Sequence, residues 1–289
     1  MNAQNTGYKA KNLQSKYVLI YLLINPMLWI VLVMLYGFHI LPWKESPGFF
    51  VVLSILNFGP TIMAFVLTAI SDGKQGVKDL WRRFWTHHLS FRWLLIALLI
   101  WPIVFFIIKL IAAVMDGTPL FPIFRSFNEI ATIFPGVFLY AIFNGFREDF
   151  GWFGYLLPHL QVKWNALVAG LINGVFWSLI HLGNWLLPPG NARRDDSFLA
   201  FALQIILVSI LYVWIFNNAR GKLIPVMLAH AISNCVGALI AIPDSYLQYQ
   251  NWVLLTFVIA VVLIFGPKKL VRQIAEDVVE KEEVQTMSN

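Results

Sequence analysis

Five side chains with chemistry to offer lie in stretches that are otherwise apolar. Glu148 and Asp149 follow Arg147 in one stretch, His181 closes a second, and His230 and Asn234 sit four apart in a third. That spacing puts His230 and Asn234 on one face of an α-helix. An ionised group at the middle of a membrane helix is disfavoured by roughly 3 kcal/mol, so each of these residues asks for a reason. Singly they have ordinary ones. A lone intramembrane imidazole or amide hydrogen-bonds a neighbouring helix, and an acidic pair near a helix end reaches for the interface. Together, a carboxylate, two imidazoles and an amide in one apolar bundle form a set able to activate water and stabilise an oxyanion. Two other chemistries fit the same residue types. Intramembrane acids and histidines build proton relays in transporters. Glu148, His181 and His230 are also a possible zinc ligand set with one coordination position open for water, although no H-E-x-x-H helix motif occurs.

The elements that must position these residues are membrane helices. Of the 289 residues, 59% are hydrophobic and 12% charged, against about a quarter charged in a soluble domain. Lipid is therefore part of the solvent. Eight apolar runs are long enough to span, at 18–36, 49–70, 93–114, 130–157, 165–187, 198–217, 223–241 and 251–266. None alternates as barrel strands do, and backbone groups in hydrocarbon must pair internally. The expected fold is all-α, a polytopic membrane bundle of about eight transmembrane helices. The fourth run is read as one long helix stopped by Pro158. The bundle covers 18–266, between a tail at 1–17 and another at 267–289.

The net charge of +6 reads as basic cytoplasmic loops rather than as a nucleic-acid surface. With the N-terminus inside, sixteen Lys and Arg fall on the cytoplasmic side and four outside, a positive-inside bias that puts both termini in the cytoplasm. The most basic connection, Gly73–Arg92, interleaves Trp81, Phe84 and Trp85 with its charges. It reads equally as an interfacial helix on anionic lipid and as an anchoring loop. Cys235 is the single cysteine, so no internal disulfide forms. No inverted repeat of the transporter kind is evident.

Three segments in order resemble the CPBP (CAAX protease and bacteriocin-processing) family of intramembrane proteases, over about 130–241. The family's first motif, E-E-x-x-x-R, reads here from Glu148 and Asp149 to Phe153. Its second, F-x-x-x-H, reads Trp177 to His181, and its third, H-x-x-x-N, reads His230 to Asn234. The resemblance implies an intramembrane endopeptidase in which Glu148 is the general base and His181 contacts the attacking water. His230 and Asn234 would hold the oxyanion, and Asp149 would support. It leaves metal use undecided. The implied partners are membrane lipids and a peptide or membrane-protein substrate, prenylated or bacteriocin-like, in a prokaryotic cell membrane. Three residues depart from the pattern. Asp149 is a methylene short, Trp177 replaces phenylalanine, and Phe153 stands where the family has arginine. Arg147 is expected on another helix face, unable to take that arginine's part. The loss of the cation keeps open a non-catalytic immunity or scaffold protein that retains the fold. Counting along the spans raises one conflict. Glu148 and His230 fall in the cytoplasmic half, whereas His181 falls nearer the other side, so a tilt or a re-entrant segment between Pro158 and Asn165 is needed to unite them.

Overall fold

In the computed structural model the chain is described over residues 15–38, 57–84, 89–186, 197–240 and 249–272. Helices are the regular secondary structure of these residues, joined by short irregular connections, with one isolated bridge between Phe124 and Ile240. The helices are α1 (Ser15–Gly37), α2 (Gly59–Arg82), α3 (Phe91–Asp116) and α4 (Phe127–Asn144). A π-helical segment (Gly145–Leu156) then leads into α5 (Leu157–Lys163), followed by α6 (Ala166–Leu179), α7 (Phe198–Asn218), α8 (Leu223–Leu239) and α9 (Gln250–Phe265). By length and composition, Phe91–Asp116, Phe127–Lys163 and Phe198–Asn218 can each cross a membrane, and α6 and the apolar stretches of α1, α8 and α9 are shorter. Large apolar side chains are freely exposed, among them Phe127 at 82% and Leu263 at 79%, as a lipid-facing surface requires.

Three boundaries differ from expectation. Pro158 does not stop the fourth helix, which runs on to Lys163. Pro158 falls in the opening turn of α5, where a missing N–H is tolerated. The basic stretch after Gly73 is helical as far as Arg82, reached through a kink at which Gly73 takes φ 65°; Trp85 lies outside the described residues. Residues 267–270, assigned to the tail, fold back on the bundle. The backbone N–H groups of Ala166 and Leu167 donate to the Lys268 and Pro267 carbonyls. The Asn217 and Asn218 amides donate to the Lys269 and Leu270 carbonyls. Residues 49–56 of the second expected span lie outside the described residues.

Close approach of backbones holds the layers together. At Gly174 a Cβ would sit 2.6 Å from the Cα of Ile206, so α6 and α7 meet without side chains between them. Polar bonds run along this seam: Asn173 donates to the Ser209 hydroxyl at 3.1 Å, and Ser209 donates to the Gly170 carbonyl at 3.0 Å. Small residues with hydroxyl and amide cross-links are the usual adhesive between membrane helices. A second contact forms at Gly151 of the π segment, where a Cβ would strike the Tyr21 hydroxyl and lie 2.6 Å from the Pro60 carbonyl oxygen. The π segment is thereby packed against α1 and the start of α2.

The loops sort to two ends. At one, the Leu223 N–H donates to the Arg83 carbonyl, beside the Trp164–Asn165 turn and the 267–270 fold-back. At the other, the Arg125 N–H donates to the Leu239 carbonyl. The Trp164–Asn165 turn removes the conflict over depth. Glu148 lies fifteen residues before Lys163, the last residue of α5, and His181 lies fifteen residues after Ala166, the first of α6. Two arms of similar length folded about one turn bring both residues to a similar level.

Candidate active site

The π segment supplies the acids. A π-helix is closed by i→i−5 hydrogen bonds and is concentrated at functional sites; here its last step is the Leu157 N–H to the Trp152 carbonyl. Widening the helix redistributes the side chains, and consecutive Glu148 and Asp149 both point inward, at 4% and 0% exposure. They serve different neighbours. Glu148 Oε2 accepts from the Trp177 indole Nε1 of α6 at 2.7 Å, and Oε1 accepts from the Arg147 guanidinium at 3.2 Å. Asp149 Oδ1 lies 3.0 Å from His230 Nδ1 of α8, while Oδ2 is buried with no partner among the described residues.

Arg147 therefore corrects the sequence reading. In the π register its side chain reaches the acid beside it, forming a largely buried ion pair, instead of leaving on another face. Phe153, where the resemblance predicts a cation, is fully buried. Its ring meets Trp177 edge-on at 5.8 Å and Tyr212 at 5.7 Å.

His230 is buried and edge-on to the Trp177 ring, with centroids 5.2 Å apart. The Tyr212 hydroxyl accepts from the Trp101 indole at 3.0 Å, and the Tyr212 ring lies 6.1 Å from that of His230. One turn on, Asn234 holds its Nδ2 buried without a partner among the described residues. His181, half-buried in the turn that ends α6, packs edge-on to Phe201 at 5.3 Å.

A cavity of about 40 Å³ opens beside Glu148 and His181, walled also by Asn25, Trp29, Pro60 and Arg147. Since a water needs roughly 10–15 Å³ by this measure, it has room for a few. Four of the five sequence candidates thus belong to one neighbourhood: Glu148 and His181 share a cavity, and Glu148 is joined through the Trp177 ring to the His230–Asp149 pair. Asn234 is tied to it by the α8 helix face. Among the described residues no three His, Cys, Asp or Glu side chains are gathered to hold a metal ion.

The sequence reading missed the contributions of Trp177, Arg147 and α1. Trp177 was noted only as an aromatic exchange, although an indole carries a donor that a phenyl ring lacks. Asn25, buried in α1 next to Pro26, was a polar residue in an apolar run and gave a visible signal.

Fold and site together define a helical membrane protein with a buried acid–imidazole cluster beside a cavity large enough for water. Residues 130–236 match the family model described as type II CAAX prenyl endopeptidase Rce1-like. That stretch, which includes Glu148, Asp149, His181, His230 and Asn234, is thus similar to the Rce1-like CAAX proteases. The chain is also 26% identical over 220 residues to a protein of Methanococcus maripaludis named CAAX prenyl protease 2, an alignment covering 73% of this chain and 79% of that one.

Proposed function

We propose that this protein is an intramembrane endopeptidase in which Glu148 activates water for attack on a peptide bond, and that its substrate is a prenylated C-terminal peptide. The observation that carries the mechanism is the Glu148 carboxylate, fixed by donors on both oxygens, at the wall of a cavity it shares with His181. The substrate class rests on the names of the matched family and relative.

Water held between Glu148 and His181 gives a proton to Glu148 as its oxygen bonds to the carbonyl carbon. The carbonyl electron pair moves onto oxygen, and that oxyanion accepts from Asn234 Nδ2 and from His230. The unpartnered state of the Asn234 amide supports its role, because a buried donor without an acceptor is costly until one arrives. Asp149, paired with His230 Nδ1, orients that ring. Collapse of the adduct breaks the C–N bond, and Glu148 returns its proton to the departing amine.

Zinc held by Glu148, His181 and His230 would supply a Lewis acid and a polarised water. The side chains as they stand do not form that ligand set. His230 Nδ1 faces Asp149, and the two Glu148 oxygens each already accept one hydrogen bond, from Trp177 and Arg147.

In proteoliposomes supplied with a farnesylated C-terminal peptide, Glu148→Gln is expected to lower cleavage by about a hundredfold or more, as loss of a general base does. Cleavage is expected to withstand 1,10-phenanthroline. Full turnover by Glu148→Gln ends this assignment, and loss of wild-type cleavage to the chelator ends the metal-free version.

The same reading places both termini in the cytoplasm of a prokaryotic cell. It is supported by two backbone contacts between turns that carry cations, Leu223 N–H to the Arg83 carbonyl and Ala166 N–H to the Lys268 carbonyl. A Lys78→Cys, Cys235→Ser protein in intact spheroplasts should resist a membrane-impermeant maleimide until the membrane is opened. Labelling of intact cells inverts the topology.

A further inference from the structure

The departures at positions 153 and 177 are linked by the geometry around Glu148. In a π-helix, residues five apart stack on one face, so position 153 lies one turn below Glu148. A cation there would approach the carboxylate along the helix. Phe153 brings no donor. It is fully buried, and its ring abuts the indole of Trp177. That indole donates at 2.7 Å to Glu148 Oε2, from a different helix.

Trp177 is well suited to hold a carboxylate in one orientation. It is 2% exposed, and its ring is enclosed by Phe153 at 5.8 Å, His230 at 5.2 Å and Tyr212 at 6.1 Å. An indole donates only through Nε1, and a ring so walled cannot turn that donor elsewhere. A hydrogen bond to an ionised acceptor is the strong kind, and it strengthens further where water is excluded.

We propose that Trp177 is a positioning residue that selects the working oxygen of Glu148. Trp177 holds Oε2 by the shorter bond, 2.7 Å against the 3.2 Å from Arg147 to Oε1, and the second lone pair of Oε1 is the one that meets water. Orientation of the base comes across from α6 through a neutral donor, and Phe153 is the apolar wall that keeps the donor aimed. This inference rests on the protease reading for its kinetic consequence, although the contact itself can be tested without substrate.

The contact is read by 19F NMR of protein labelled with 5-fluorotryptophan, in detergent micelles. Among the twelve tryptophans, the resonance absent from Trp177→Phe should be displaced by Glu148→Gln and unmoved by Glu129→Gln. The kinetic consequence is read in proteoliposomes with the farnesylated peptide. Trp177→Phe should lower kcat by roughly ten- to a hundredfold, the size of one lost hydrogen bond to a charged group, with KM within about twofold because the binding surface is unchanged. Should Trp177→Phe fail to fold, Trp177→His, which keeps a ring N–H, takes its place in both measurements, with a kcat fall under tenfold expected. A Trp177 resonance indifferent to Glu148→Gln overturns the proposal outright. So does a Trp177→Phe enzyme with wild-type kcat, and that result leaves the protease reading intact provided Glu148→Gln is inactive. A shared fall in kcat and rise in KM overturns it in favour of a purely structural indole.

Discussion

Two polar clusters are buried in this bundle, and they are built differently. Along the α6–α7 seam, Asn173 and Ser209 are neutral, sit where the glycines of α6 let the two helices touch directly, and spend their donors on each other and on a backbone carbonyl. Around the π segment, Glu148, Asp149 and His230 are ionisable, Glu148 borders a cavity together with His181, and polar atoms of Asp149 and Asn234 are without partners among the described residues. Both put polar atoms in a place that disfavours them. In the seam the polar groups close the contact between two helices. Around the π segment they carry ionisable groups to the edge of an open space, as the proposed reaction centre requires. Since Asn173 Oδ1 in the seam is also buried without a partner among the described residues, it is ionisable character and adjacent space that separate the proposed reaction centre from the adhesive seam.

The comparison predicts that damage to the two clusters will read out in different assays. Asp149→Asn should cost the most. It removes the charge facing His230 Nδ1 and is expected to lower kcat roughly ten- to a hundredfold with little change in the thermal midpoint. An unchanged kcat would move Asp149 to the adhesive class. Gly174→Ala comes next, in the opposite direction: its methyl would press on the Ile206 backbone at 2.6 Å. A stability loss of about 1–3 kcal/mol is expected, with normal turnover per folded molecule. Asn173→Ala should be mildest, near the roughly 0.6 kcal/mol typical of interhelical hydrogen bonds in membranes, and silent in kcat. A kinetic effect from either seam variant would break the division.

What was legible in the sequence depended on whether the local helix was regular. His230 and Asn234 could be assigned to one face because α8 is an ordinary α-helix with the spacing that four residues imply. Glu148 and Asp149 were found as intramembrane acids, but their directions were hidden, since the period of the helix changes at Gly145 and again at Leu157. The same change of period defeated the reading of Arg147, whose face was inferred from α-helical geometry. Pro158 misled for a related reason, being tolerated in the first turn after a π segment. The mismatch in depth between Glu148 and His181 arose from placing the turn at the proline; with the turn at Trp164–Asn165 the two levels agree. Trp177 was visible as a letter, but its role is a matter of where one N–H points, which depends on the packing of α6 against the π segment.

The fold-back at residues 267–270 bears on how the molecule is made. Those residues accept hydrogen bonds from the first turn of α6 and the last turn of α7, so they latch the hairpin that carries His181 and the walls of Trp177. In chain order the latch follows everything it fastens. The α6–α7 pair therefore precedes, in the order of synthesis, the residues that clasp its ends, and the clasp forms only once α9 has followed.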